Sequence, residues 1–139
     1  MVIASLKDQL IRDEDLKLKP YKDSEGKLTI GVGRNLSDVG ISLQEADVLL
    51  ANDIKAATVA LESNFPWTMD LDEVRKGAMV NMAFNMGIRG LSGFHDFLVK
   101  MQAKDFKGAS QSMLESLWAK QVGMRAQRLS IQIESGFWQ

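Results

Sequence analysis

The apolar residues of this chain change their period twice, and the changes divide it into regions. Leu6, Leu10 and Ile11 recur at helical spacing and run into the acids Asp13, Glu14 and Asp15, which predicts an N-terminal helix over 2–14. Pro20 forbids its continuation. From Tyr21 to Val32 the period drops to two, with Leu28, Ile30 and Val32 in alternation and Ser24-Glu25-Gly26 as a turn signal, so this stretch reads as strand, turn and strand. Gly31 and Gly33 permit positive φ or close backbone approach, which suits a cleft wall as well as a simple bend. Such a β-rich piece is too short to own a core and needs a helical neighbour.

From Ser42 onward the period is that of a helix. Ser42-Leu43-Gln44-Glu45 has the form of a capping box. Ala46, Leu49, Leu50, Ile54, Ala57 and Leu61 follow as one stripe of a long connecting helix. Pro66 and the acids between Asp70 and Glu73 mark the next boundary, the acids favouring a helix start. Ala78, Met79, Met82, Ala83 and Met86 make a stripe of small and flexible residues, the pattern of a buried central helix. Gly87, Gly90 and Gly93 then cut the chain into shorter segments. Phe106, Ala109, Met113, Leu114 and Leu117 predict one more amphipathic helix running into Trp118. The pattern predicts an α+β fold, mainly α: residues 1–139 as a single domain, with a small β-rich lobe over about 15–45 and a helical lobe made of about 46–139 plus the N-terminal helix 2–14, the two lobes joined by the long connecting helix.

Composition removes function classes more than it adds any. The 139 residues contain 45% apolar and 25% charged positions, ordinary for a folded soluble domain. With no cysteine and one histidine, His95, neither a thiol nucleophile nor a zinc site is expected. Seventeen basic residues against eighteen acidic ones argue against nucleic acid as a partner. The charge is uneven: Lys100–Gln139 carries six basic and three acidic residues, Asn35–Val99 four and nine. The basic end could face an anionic polymer or simply solvent. Charge interrupts the first ten residues before a signal-peptide core could form, and no apolar run of about 18 residues predicts a membrane span.

Specific chemistry is suggested by one triplet. Eight residues separate Glu14 from Asp23 and five separate Asp23 from Thr29. A carboxyl group at a helix end and a second in a glycine-punctuated turn form a plausible acid and base pair, as glycoside hydrolysis requires. Taken alone, Glu14 could equally be one more solvated acid in an acidic run. His95 has no nucleophile elbow near it, and Gly31-Val32-Gly33 lacks the rest of a nucleotide-binding motif.

The segment Tyr21-Lys22-Asp23, Glu25-Gly26 and Thr29-Ile30-Gly31-Val32-Gly33 resembles the catalytic segment of bacteriophage lysozymes of the T-even type, also called endolysins or N-acetylmuramidases. Asn81-Met82-Ala83-Phe84-Asn85-Met86-Gly87 is similar to that family's central helix, and Gly93-Phe94 follows it in order. Trp118, Arg125-Ala126, Arg128, Gly136 and Trp138 resemble its C-terminal pattern, so the likeness covers most of the chain. It implies a lysozyme-like fold and a hydrolase of peptidoglycan glycan strands, acting without metal or organic cofactor. Glu14 would be the general acid, kept protonated by burial at the helix end. Asp23 would stabilise the oxocarbenium-like transition state and help place a water, which Thr29 would orient. Arg125 would pair with Glu14, mainly to position it. Gly33, Phe84, Asn85 and Ser112 match saccharide-contacting positions of the family.

The chain departs from the family where a histidine usually follows the second glycine and pairs with an aspartate. Arg34 and Asp53 take those places, so an Arg34–Asp53 salt bridge is expected. The segment between Arg34 and Ser42 is short, which implies a trimmed β-rich lobe. The family also implies a monomer made in the host cytoplasm, without membrane insertion, that needs a holin to reach the wall. Two alternatives stay open: a lysozyme-like module that binds glycan or protein without cutting, and a lytic transglycosylase that uses one acid.

Overall fold

The computed structural model describes residues 2–139. Its contacts divide the chain into two units, Met1–Leu49 and Leu50–Gln139.

In the first unit, α1 spans Leu6–Glu14. It begins later than the apolar pattern predicts because Ser5 and Asp8 cap it reciprocally. The Ser5 hydroxyl accepts the Asp8 N–H at 3.1 Å, and the Asp8 carboxylate accepts the Ala4 N–H at 3.1 Å, satisfying donors that a helix start leaves orphaned. Three antiparallel strands follow in sheet order β1 (Lys17–Lys22), β2 (Leu28–Gly31) and β3 (Arg34–Asn35). Pro20 lies inside β1, which the sheet tolerates because β1 is an edge strand whose register shifts between Lys17 and Tyr21. Thr29, on the central strand, faces Tyr21 on one side and Asn35 on the other. It is the one buried residue described in this unit, while Leu28 on the opposite phase is exposed. The described residues of this unit therefore form no apolar core of their own. Turns, caps and ladder bonds hold it.

Helix α2 spans Leu43–Asn64 and carries the boundary between the units. The expected capping box is present: the Ser42 hydroxyl accepts the Glu45 N–H at 3.1 Å, and the Glu45 carboxylate accepts the Ser42 N–H at 2.9 Å. Of its apolar stripe only Leu61 is buried.

The second unit is helical. After a 3-10 turn at Pro66–Asp70 come α3 (Glu73–Ser92), α4 (His95–Gln102), α5 (Phe106–Leu114), α6 (Leu117–Val122) and α7 (Met124–Ser135). Gly87 kinks α3 at φ 78°, ψ 160°. The expected single helix through Leu117 is two helices. Ser116 ends the first by donating its hydroxyl to the Met113 carbonyl at 2.7 Å, and starts the second by accepting the Ala119 N–H at 3.1 Å. Met79 and Met82 of α3, as their stripe predicts, pack in the centre with Leu61, Leu91, Phe97, Met101, Met113 and Ile133, each under 2% exposed. Arg75 closes this unit. Its Nε and Nη2 donate to the carbonyls of Ile133 and Glu134 at 2.6 and 2.9 Å, and its guanidinium stacks 3.9 Å from the Phe106 ring centroid. These bonds satisfy carbonyls near the end of α7 that the helix leaves without partners.

Candidate active site

Glu14 is the last residue of α1 and is exposed, not buried as expected. Its carboxyl group lies against the turn between β2 and β3. A Cβ built on Gly33 would stand 2.9 Å from Glu14 Oε2. The acids beside Glu14 are engaged elsewhere, Asp13 with Arg12 at 2.7 Å and Asp15 with Lys17 at 3.3 Å. Asp15 also accepts the Leu16 N–H at 2.9 Å. That backbone hydrogen bond, and after it Lys17, holds the Asp15 carboxyl below the usual carboxylate range.

Asp23 is fixed by the turn it begins. Its Oδ1 accepts the N–H groups of Glu25 and Lys27 at 2.9 and 2.8 Å, and its own N–H donates to the Lys27 carbonyl at 2.9 Å. This is an Asx-type arrangement in which the side chain mimics backbone. Both side-chain bonds fall on Oδ1, which leaves Oδ2 for a ligand. Thr29, 4% exposed, donates its hydroxyl to the same Lys27 carbonyl at 2.9 Å. Asp23 and Thr29 are thus tied to one another through the backbone of a single residue, Lys27.

Arg34 does not pair with Asp53. Its Nη1 donates to Glu45 at 2.8 Å and to the Gly40 carbonyl at 3.1 Å. The capping box explains the change of partner, because it turns the Glu45 carboxylate back toward the loop that precedes α2. Arg34 and then the Ser42 N–H lower the Glu45 carboxyl to about 2. Asp53 instead borders a depression of about 360 Å³ with Ala56, Ala57, Ala60, Phe84 and Ile88.

The other expected site residues lie in the helical unit. Phe84, 45% exposed on α3, helps line a cavity of about 520 Å³ with Leu50, Ile54, Val80, Arg125 and Trp138. Asn85 accepts the indole N–H of Trp118 at 2.8 Å, so its carbonyl is spoken for and its amide N–H₂ is the group left to meet a ligand. Ser112 stands beside Asp96, whose carboxyl is held below the usual range by Lys100 and then by the Ser112 hydroxyl. Arg125 directs Nε and Nη2 at the carbonyl oxygen of Asn81, at 3.0 and 2.8 Å. No group of three or more His, Cys, Asp or Glu side chains among the described residues is arranged to hold a metal ion.

The family model for phage lysozymes, "Phage lysozyme", matches residues 12–132 of the chain. This protein belongs to the phage lysozyme family. It is similar to "Probable T4-type lysozyme 1" of Dictyostelium discoideum, 30% identical over 97% of this chain and 96% of that protein. It is also similar to "Endolysin" of Acyrthosiphon pisum secondary endosymbiont phage 1, 30% identical over 82% of this chain and 78% of that one. A third relative, "Pre-baseplate central spike protein Gp5" of Enterobacteria phage T4, is 30% identical over 95% of this chain, which spans 28% of that longer protein. The chain is accordingly a lysozyme, a glycoside hydrolase of peptidoglycan. No helix among the described residues is long and apolar enough to cross a membrane.

Three features of this lysozyme were missed by sequence reasoning: Glu45 as the partner of Arg34, Asn81 as the seat of Arg125, and Lys27 as the link between Asp23 and Thr29. Only Lys27 had a local signal, since an Asp that opens a glycine-containing turn commonly bonds N–H groups two or more residues on. The spacing of Glu45 announces its cap alone, and the Asn81–Arg125 contact spans 44 positions.

Proposed function

We propose that this lysozyme cleaves the β-1,4 bond between N-acetylmuramic acid and N-acetylglucosamine, with inversion at the anomeric carbon, during lysis of a phage-infected host. The observation that carries this reading is the Asp23–Lys27–Thr29 arrangement. It fixes a carboxylate and a hydroxyl on one short stretch of backbone, as a site for a water requires. Thr29 spends its own proton on the Lys27 carbonyl, so its lone pairs remain to accept a hydrogen bond from that water, whose bonded proton stays on the new anomeric hydroxyl. Oδ2 of Asp23 accepts the other proton as the water attacks. Glu14 donates its proton to the glycosidic oxygen, and the departing sugar leaves as an alcohol. A water on the face opposite the leaving group gives inversion.

Glu14 is exposed in the free enzyme. Bound glycan supplies the desolvation in this scheme, covering the carboxyl group as it fills the site. Asn85, with only its N–H₂ to offer, suits the carbonyl of an N-acetyl group. Arg125, steadied by Asn81, is the proposed support of Glu14. Loss of activity or stability in Arg125→Ala is the expected result, and no change in either would remove that role. Delivery to the wall through a holin-like pore, and action as a monomer, complete the proposal.

The test is clearing of Gram-negative cells stripped of their outer membrane. The protein should clear them, and Glu14→Gln should fall by about 10²- to 10⁴-fold, the contribution of a general acid. Clearing by both removes the acid assignment, and clearing by neither favours a binding module. Mass analysis of the products separates hydrolysis from anhydro-sugar formation, and the anomer first released, read by proton NMR, tests inversion.

A further inference from the structure

We propose that Gly33 is a positioning residue for Glu14, the side chain it lacks being the space in which the acid's carboxyl group rests; this depends on Glu14 being the acid, as proposed above. A Cβ at Gly33 would stand 2.9 Å from Glu14 Oε2, 3.3 Å from Cδ and 3.4 Å from Cγ. It would press on the whole end of the side chain. Gly31, two residues earlier, provides the comparison. Its φ is +70° against +69° for Gly33, yet a Cβ there meets nothing within 4 Å. The two glycines share a backbone requirement, and only one touches the acid.

The other side of Glu14 is constrained as well. Asp15 adopts φ 67°, ψ 157°, a region that is essentially confined to glycine and costs an ordinary residue strain. Its carboxylate holds that conformation through the Leu16 N–H and Lys17. The cations nearest in sequence, Arg12 and Lys17, are paired with Asp13 and Asp15. Glu14 therefore leaves a helix end whose exit is fixed, with Arg12 and Lys17 committed to its neighbours, and lies on bare backbone at Gly33. Gly33 acts on the acid and not on the saccharide.

The contact is with the free end of a flexible side chain, so an added methyl group displaces the carboxyl group, and the positive φ adds a backbone cost at Gly33 as it does at Gly31. The consequence belongs in kinetics. A residue that holds sugar raises KM when altered, whereas one that places the acid lowers kcat. Gly31→Ala, Gly33→Ala and Glu14→Gln are to be compared on a soluble glycan oligomer, with carboxyl NMR of protein labelled at glutamate ¹³Cδ. Gly31→Ala should show the backbone cost alone. Gly33→Ala should lose a further ~10- to 100-fold in kcat at unchanged KM, the effect of misplacing a reacting group by about 1 Å. The Glu14 resonance, identified by its absence in Glu14→Gln, should move in Gly33→Ala and stay in Gly31→Ala.

Equal kcat losses in the two glycine variants, a loss confined to KM, or an unmoved resonance would each overturn the inference. Full activity in Glu14→Gln overturns the acid assignment instead, and the resonance then decides the contact alone. If Gly33→Ala fails to fold where Gly31→Ala folds, Glu14→Ala/Gly33→Ala should recover the fold, and failure to recover it counts against the contact.

Discussion

Each of the two units of this lysozyme is ordered internally by its own kind of interaction. The helical unit is organised around methionine, leucine and phenylalanine side chains removed from water, in the way most domains are. The first unit has a single buried residue among those described, Thr29, and its order comes from hydrogen bonds of turns, caps and a three-stranded ladder. The proposed catalytic side chains sit in the second kind of structure. Side-chain packing tolerates adjustment by a few tenths of an ångström and settles into it, as flexible methionines do. A carboxylate bonded to two backbone N–H groups has a direction. Stability and placement are therefore separable in this protein, and substitutions should separate them.

The largest expected effect falls on the helical unit. Phe97→Ala should cost about 3–5 kcal/mol, the range for removing a fully buried aromatic ring. Denaturant unfolding followed by tryptophan fluorescence reads this, because Trp67, Trp118 and Trp138 all belong to that unit. A cost below 1 kcal/mol would mean that the core is not where stability resides.

Asp23→Asn should do the opposite. Asparagine keeps a carbonyl oxygen for the Glu25 and Lys27 N–H groups, so the turn survives, while activity drops by about 10²-fold or more for want of a base. Asp23→Ala should lose both. If the Asn variant unfolds as readily as the Ala variant, the charge and not the turn is what holds this loop.

Arg75→Ala comes next, at about 1–3 kcal/mol, since two carbonyls near the end of α7 lose their partners. Lys at this position should recover only part of the loss, because one ammonium cannot reproduce the fork over Phe106.

The smallest effect is the dependence on pH that the Arg34–Glu45 pair gives the first unit. The Glu45 carboxyl is held at about 2 against an ordinary 4.5. The folded form therefore binds this proton less readily than the unfolded form does. The pair's contribution is complete above the ordinary value and disappears as pH falls from there through about 2. Both partners are solvent-accessible, so the gain is modest and weakens with salt. Ring signals of Tyr21, the single tyrosine, should report loosening over that window, and Glu45→Gln should reduce the response, leaving what Asp15 contributes.

The outcome for each part of the chain follows the range over which its interactions act. The turn at Ser24-Glu25-Gly26, the Ser42 and Glu45 cap and the buried Met79 and Met82 stripe were all legible, because partners three or four positions apart declare themselves by spacing. The break between α5 and α6 was hidden. Ser116 makes it with hydroxyl bonds to residues three positions either side, and the apolar pattern runs straight past. The start of α1 was misplaced for the same reason, with Ser5 and Asp8 outranking the apolar residues before them.

Residue type and order were enough for the family and for the helical class with its small sheet, and they put Glu14, Asp23 and Thr29 forward as the candidates for the chemistry. Tertiary structure decided which groups meet. It paired Arg34 with Glu45 and not Asp53, seated Arg125 on Asn81, joined Asp23 to Thr29 through Lys27, and brought Gly33 under the carboxyl group of Glu14. Spacing along a chain specifies contacts within a turn of helix or hairpin. Contacts across nineteen or forty-four positions depend on where the chain folds back, and that path is set by the packing and hydrogen bonds of everything between.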